Sequence, residues 1–174
     1  ILLLMEAGQS NRKIGAIIQA RYGSTRLPGK VLMPMPFPDG PPILKRIVDS
    51  LKQSDKIDQI VIATSTNSEN NSIEEFCTQY GINCFRGDEN DVQSRFIKLI
   101  ETYGFEHVVR LTGDNPVVDI DYLNKTIDSH LSEEFDYTKC TGLPLGTNFE
   151  IVKSSALKSR NQKQRSEAEK ELVT

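Results

Sequence analysis

The 174-residue sequence has no tryptophan, two histidines and three cysteines, and each scarcity excludes something. Cys77, Cys84 and Cys140 show no C-x-x-C spacing, and an odd number of them argues against a closed disulfide framework. They fit a reducing, cytoplasmic compartment. There is no excess of positive charge either. Twenty-one basic residues against 24 acidic ones give a net charge of -3, so no broad electrostatic footprint for nucleic acid exists, and any polyanion must be met locally. Long hydrophobic runs are missing too. The longest uninterrupted one, Ile1 to Met5, is far below the roughly 20 residues that cross a bilayer, and no basic segment precedes it as in a secretory signal. No membrane partner is expected.

With 37% hydrophobic and 26% charged residues, the composition is that of a soluble globular protein with one core. The chain opens on Ile1 and stops at Thr174 inside a charged, helix-forming stretch, and reads as a piece of something longer. Residues 1–13 are expected to be an extension, 14–153 the folded domain, and 154–174 a charged helix or tail.

Within 14–153, short apolar runs alternate with segments of helical period, the pattern of a parallel sheet covered by helices in an α/β sandwich. Strands are predicted at 14–20, 57–63, 82–85 and 107–111, with further ones at 137–140 and 149–152. A proline-rich connection from Pro34 to Pro42 precedes a helix whose first turn suits Pro41 and Pro42 and whose stripe is Ile43, Leu44, Ile47, Val48 and Leu51. Ser72 and Glu75 read as a capping box for a second helix carrying Ile73, Phe76, Cys77 and Tyr80, ended by Gly81. A third helix covers 91–103 before Gly104, and Ile120, Leu123, Ile127 and Leu131 mark a fourth. His107 opens a strand, while His130 sits late in a helix, where a cation suits the dipole. Cys77 and Cys84 read as small core hydrophobes.

Two polar segments leave apolar strands. The first, Gln19 to Lys30, places three cations, two hydroxyls and two glycines in a dozen residues after the first strand. Glycine lets backbone approach an anion, N–H groups form a concavity, and Arg and Lys neutralise phosphate. Its bland alternative is a basic surface loop pairing with nearby carboxylates. It is no P-loop, because Val31 rather than Ser or Thr follows Lys30. The second, Arg110-Leu-Thr-Gly-Asp-Asn-Pro116, puts Asp114 on a strand-end turn. A carboxylate there holds one Mg2+ whose other ligands are water and substrate phosphate, unless it is simple turn chemistry. In an open parallel sheet both loops share one rim and face each other across a crevice.

Ala20-Arg-Tyr-Gly-Ser-Thr-Arg-Leu-Pro-Gly-Lys30 together with Arg110-Leu-Thr-Gly-Asp114 closely resembles the CMP-sugar cytidylyltransferases, the family of CMP-KDO synthetase and acylneuraminate cytidylyltransferase. The likeness is nearest to the spore coat polysaccharide biosynthesis protein F subgroup and runs from Ile14 to Val152. It implies a Rossmann-like nucleotidyltransferase sandwich, a mostly parallel sheet with helices on both faces. CTP would be the donor, a sugar or sugar acid the acceptor, Mg2+ the cofactor, and a homodimer the assembly. On this resemblance Arg21, Lys30 and Asp114 are catalytic, with Asp114 on the metal. Ala20, Arg21, Gly23, Ser24, Arg26 and Lys30 would meet the triphosphate side. Thr64, Ser65, Asp88, Arg95, Arg110, Thr112 and Gly113 would complete the nucleotide site, with Gly87 beside Asp88. Gly146, Asn148 and Glu150 would form the sugar-binding loop. Family members place another metal-binding carboxylate further along, and none is evident before Thr174.

Such a chain would transfer CMP from CTP with release of pyrophosphate in surface-polysaccharide biosynthesis, by alignment and charge neutralisation rather than a covalent intermediate. The lack of a Ser-His-Asp or Cys-His set is consistent with that. Two alternatives stay open: a related transferase using another nucleoside triphosphate, and a noncatalytic nucleotide-binding domain.

Overall fold

A computed structural model describes residues 12–24, 26–144 and 146–161. Among these residues, six strands form one sheet: β1 (Ile14–Gln19), β2 (Gln59–Ser65), β3 (Asn83–Gly87), β4 (His107–Thr112), β5 (Tyr137–Lys139) and β6 (Glu150–Lys153). Their spatial order is β3-β2-β1-β4-β6-β5. The first four pair in parallel, and only β6 runs against its neighbours, antiparallel to both β4 and β5. The expected α/β sandwich with a mostly parallel sheet is the observed fold. Chain order reverses direction between β1 and β4, so the crevice beyond their carboxyl ends is the topological switch point where ligands of such sheets bind.

Among the described residues, five helices cover the sheet: α1 (Ile43–Leu51), α2 (Asn71–Tyr80), α3 (Val92–Tyr103), α4 (Ile120–Ser132) and α5 (Ser154–Asn161). Strand residues alternate between two cores, as their period of two requires. Ala16, Ile18 and Ile62 face α1, α2 and α4 through Leu44, Ile47, Ile73, Phe76, Leu123 and Ile127. Ile17, Val61 and Val108 face α3 and α5 through Phe96, Leu99, Ile100 and Leu157. The proline-rich excursion closes on itself through a bridge between Pro34 and Pro42.

Several boundaries differ from the sequence reading for local reasons. Pro42 is the N-cap of α1, and neither proline lies inside its first turn. The ladder of β2 starts at Gln59, because Asp58 is engaged with Ile14, its N–H on the Ile14 carbonyl and its carboxylate accepting the Ile14 amide at 2.7 Å. β2 and β3 then run on to Ser65 and Gly87, carrying polar residues into the sheet. The capping box does not form. A 3-10 turn at Ser68–Asn70 feeds α2 one residue before Ser72, whose hydroxyl bonds back to the Glu69 carbonyl at 3.4 Å.

His130 is not a cation at a helix end. It is fully buried, edge-on to His107, with its Nε2 3.0 Å from His107 Nδ1 and its Nδ1 2.7 Å from Thr138 Oγ1. Burial first, and then the neighbouring His107, push its pKa down to about 4. Of the expected extension and tail, Arg12 donates to the Leu131 carbonyl at 3.0 Å, and α5 is packed on α3 through the buried Leu157. Residues 1–11 and 162–174 lie outside the described residues, as do Thr25 and Leu145.

Candidate active site

The loop leaving β1 turns around Tyr22, whose carbonyl accepts the amides of Ser24 at 2.9 Å and Gly29 at 2.8 Å. Gly29 has φ of 72°, and a Cβ there would stand 2.9 Å from the Tyr22 ring, so glycine alone closes this turn. A 3-10 turn at Lys30–Leu32 follows, and buried Val31 anchors it. Lys30 is thereby fixed at the base of the loop, while Arg21 and Arg26 remain exposed and Gly23 and Ser24 half-exposed.

The turn after β4 is tied to the same place. Gly113 donates its amide to the Gln19 carbonyl at 2.7 Å, and a Cβ on it would lie 3.0 Å from that of Ala20. The two loops then meet through their charges, Lys30 Nζ lying 2.5 Å from Asp114 Oδ2. Burial pushes the Asp114 carboxyl upward, but hydrogen bonds from Lys30 and Thr112 prevail and hold it below the usual carboxylate range. A cation of the β1 loop and a carboxylate of the β4 turn thus meet at the switch point.

On the α3 side of the rim lies Arg95, 4% exposed, with an Nε that finds no hydrogen-bond partner among the described residues. Burial lowers its pKa; Glu89 and Asp88 oppose this, and Arg21 is close enough to add repulsion. Gly87 makes room for it, since a Cβ there would stand 2.6 Å from Arg95 Cγ. Asp88 accepts the amides of Asn90 and Asp91, which hold its carboxyl below the ordinary range.

Thr64 is fully buried, and its hydroxyl has no partner among the described residues. Ser65 is equally buried, but its hydroxyl is engaged by Glu89, Asn67 and Asn70. Arg110 pairs with Glu150 at 2.6 Å and reaches Gln19 at 3.5 Å, joining a nucleotide candidate to an acceptor candidate. Asn148 offers its carbonyl to Asn115 Nδ2 at 3.1 Å, and Gly146, with φ of 86°, adjoins Pro116. Asn148 and Gly146 therefore border the Asp114 turn, while Glu150 pairs with β4 just before it.

The sequence reading missed Glu69, Asn70, Arg86 and Glu89, which knit the ends of β2 and β3 to the β1 loop. Asn67 and Asn70 just past a buried strand were the available signal, because asparagine at such a place bonds to backbone. A cavity of about 240 Å³ near the start of β2 and β3, lined by Val48, Ile60 and Ile82, opens at the opposite end of the sheet. No helix among the described residues is long and apolar enough to cross a membrane.

The family model described as cytidylyltransferase matches residues 15–172. The spore coat polysaccharide biosynthesis protein SpsF of Bacillus subtilis is 42% identical over 146 residues, covering 81% of this chain and 59% of that protein. The uncharacterized protein MJ1063 of Methanocaldococcus jannaschii is 38% identical over 162 residues, 93% of this chain and 65% of that one. The chain thus spans less than two thirds of either relative. The solved structure of a cytidylyltransferase from Leptospira borgpetersenii superposes with a TM-score of 0.83 at 32% identity, over 92% of this chain and 68% of that one. Fold, switch-point crevice and matched length agree: this chain belongs to the cytidylyltransferase family.

Proposed function

We propose that the chain carries the CTP site of an enzyme that transfers CMP to the hydroxyl of a sugar or sugar acid, releasing pyrophosphate, in surface-polysaccharide synthesis. The observation that carries this reading is the Lys30–Asp114 contact across the switch-point crevice. One loop supplies cations and backbone amides suited to a triphosphate, and the other supplies the carboxylate. Membership of the family supports cytidine as the donor base, and the likeness to SpsF supports a polysaccharide sugar as acceptor.

Arg21, Ser24, Arg26 and Lys30 would hold the triphosphate, with Gly23 and Ala20 giving it close access to backbone. Asp114 has the donor chemistry for Mg2+, one hard carboxylate oxygen that is partly exposed, with water and phosphate oxygens filling the remaining positions. When bound, the ion would neutralise charge developing on the phosphates. The acceptor oxygen attacks the α-phosphorus, the bond to the pyrophosphate oxygen breaks, and the hydroxyl proton passes to water. Lys30 and Arg21 would offset the charge that builds on the leaving group, while Thr112, Gly113, Thr64, Asp88 and Arg95 border the nucleoside. Gly146, Asn148 and the Arg110–Glu150 pair would face the acceptor.

Isothermal titration with CTP, GTP, UTP and ATP, each with and without Mg2+, tests the reading. Selective CTP binding strengthened by Mg2+ is expected. Preference for another triphosphate would change the donor, and no binding of any would overturn the assignment for this chain.

A further inference from the structure

Asn70 is fully buried at the end of the 3-10 turn between β2 and α2, the N-cap position of α2, yet its side chain caps nothing. Its Oδ1 instead accepts the Tyr22 amide at 2.8 Å, and its Nδ2 donates to Ser65 Oγ at 2.7 Å. Ser65 in turn donates to Glu89 and accepts the Asn67 amide at 3.3 Å. One amide side chain therefore links the exit of β1, the end of β2 and the loop after β3.

The turn carrying Asn70 is itself braced. Arg86 donates to the carbonyls of Ser65 at 3.1 Å and Asn67 at 2.9 Å, and pairs with Glu74 of α2 at 2.6 Å. Glu69, next in the turn, lays its carboxylate against Gly23. Tyr22 is the residue around which the β1 loop folds, since its carbonyl receives both Ser24 and Gly29. Asn70 grips the same residue by its N–H. A buried amide can supply an acceptor and a donor at once, which an apolar side chain of equal volume cannot.

We propose that Asn70 is a positioning residue for the polyphosphate end of the nucleotide. Through Tyr22 it holds the Gly23–Lys30 loop in its anion-binding shape before the nucleotide arrives, so that binding does not have to order the loop. This rests on the CTP reading above, and it assigns Asn70 no contact with substrate. Removing the acceptor leaves the Tyr22 amide unpaired, and the loss falls on the part of the ligand that the loop serves.

The test compares the unaltered chain, Asn70→Ala and Asn70→Asp by titration with CTP and with CMP in the presence of Mg2+. CMP leaves the β- and γ-phosphate positions empty. Asn70→Ala is expected to weaken CTP binding by about tenfold and CMP binding by less than about twofold. Asn70→Asp, which keeps an oxygen for the Tyr22 amide, recovers most of the CTP affinity. Equal losses for CTP and CMP, or no recovery with aspartate, would show a merely structural role and overturn the proposal. So would unchanged CTP binding in the alanine variant. Should the alanine variant fail to fold, Asn70→Ser, too short to reach the Tyr22 amide, takes its place under the same criterion: a CTP loss exceeding the CMP loss supports the proposal, and equal losses overturn it. Failure of the unaltered chain to bind CTP instead removes the nucleotide reading itself.

Discussion

Lys30 and Asp114 are 84 residues apart in the chain, and their charged atoms are 2.5 Å apart in space. The pair closes the crevice between the β1 and β4 loops. Each member would have a different partner in the proposed complex, Lys30 a phosphate and Asp114 a cation. A ligand that takes one therefore frees the other, and nucleotide and metal binding become linked through this contact. Lys30→Ala is expected to weaken CTP binding by about ten- to a hundredfold, since charge-assisted bonds to phosphate are among the stronger polar contacts. Asp114→Asn should cut Mg2+-dependent turnover of the full-length protein by about 10²-fold or more. Titration and pyrophosphate release read the two effects. Wild-type CTP affinity in the first variant, or intact Mg2+ dependence in the second, contradicts the corresponding role.

The same contact makes a prediction about acid. The Asp114 carboxyl lies below the usual carboxylate range because Lys30 and Thr112 outweigh its burial. A depressed carboxyl contributes stability above its unfolded pKa, about 3.9, and loses that contribution as pH falls through the lower folded value. The effect is confined to pH below about 4, and solvent around this partly exposed pair keeps it small. In Lys30→Ala the carboxyl should titrate at higher pH, which NMR of the Asp114 side-chain carbon measures directly. An unmoved titration would mean that Thr112 alone sets it.

The buried histidines act in a higher window. Burial depresses both pKa values; His107 also feels Arg12 and Lys153, while His130, at about 4, feels His107 and Lys153 against Asp136. Below about pH 6.5 the unfolded chain takes up protons that the folded one refuses, so stability declines from there down to about pH 4 and then levels. For His130 alone a depression of this size corresponds to on the order of 3 kcal/mol. Denaturant unfolding of the unaltered chain and His130→Gln at pH 7 and pH 5 separates the effects. The variant should lose less stability between these values, and equal slopes would place the titration elsewhere.

What the sequence disclosed and what it hid divide along physical lines. The strands at Ile14, His107 and Ile151 were legible because burial on both faces leaves long apolar runs, and Gly81 and Gly104 marked helix ends because both adopt the left-handed backbone conformation. Thr64 and Ser65 were legible as the end of a strand but not as part of its ladder, since polarity there reflects the site rather than exposure. The capping box at Ser72 failed because the preceding 3-10 turn had already started the helix. Lys30, Asp114 and the Arg110 motif were readable as local chemistry. Arg86 was not, because its work is done on backbone groups of other segments, and Asn70 showed only as an asparagine just past a buried strand, with nothing to say that its partner is Tyr22.

Gly29 should be intolerant of any side chain. Its φ of 72° disfavours L-residues by about 1–2 kcal/mol, and a Cβ would meet the Tyr22 ring at 2.9 Å. Because Gly29 also donates to the Tyr22 carbonyl, Gly29→Ala disturbs the residue on which the loop is built. CTP binding should fall by about tenfold or more, while the melting temperature drops by a few degrees. A variant that melts earlier and binds CTP normally would show that the loop reforms around the alanine.

Arg110 and Glu150 face each other across the antiparallel β4–β6 register, each side chain more than four-fifths buried. Two charges so placed have lost much of their hydration, and their attraction at 2.6 Å offsets that cost. Removing one strands the other. Arg110→Met and Glu150→Gln should each cost about 1–3 kcal/mol in unfolding free energy, with the other bonds of each residue limiting the loss. The double variant should cost less than the two losses together, because no lone charge then remains. If the pair also borders the acceptor, Glu150→Gln raises the acceptor KM of the full-length enzyme more than it alters CTP affinity. Strict additivity in the unfolding cycle would mean that the two side chains are neighbours without being energetic partners, and that the acceptor pocket is built from other residues near the Asp114 turn.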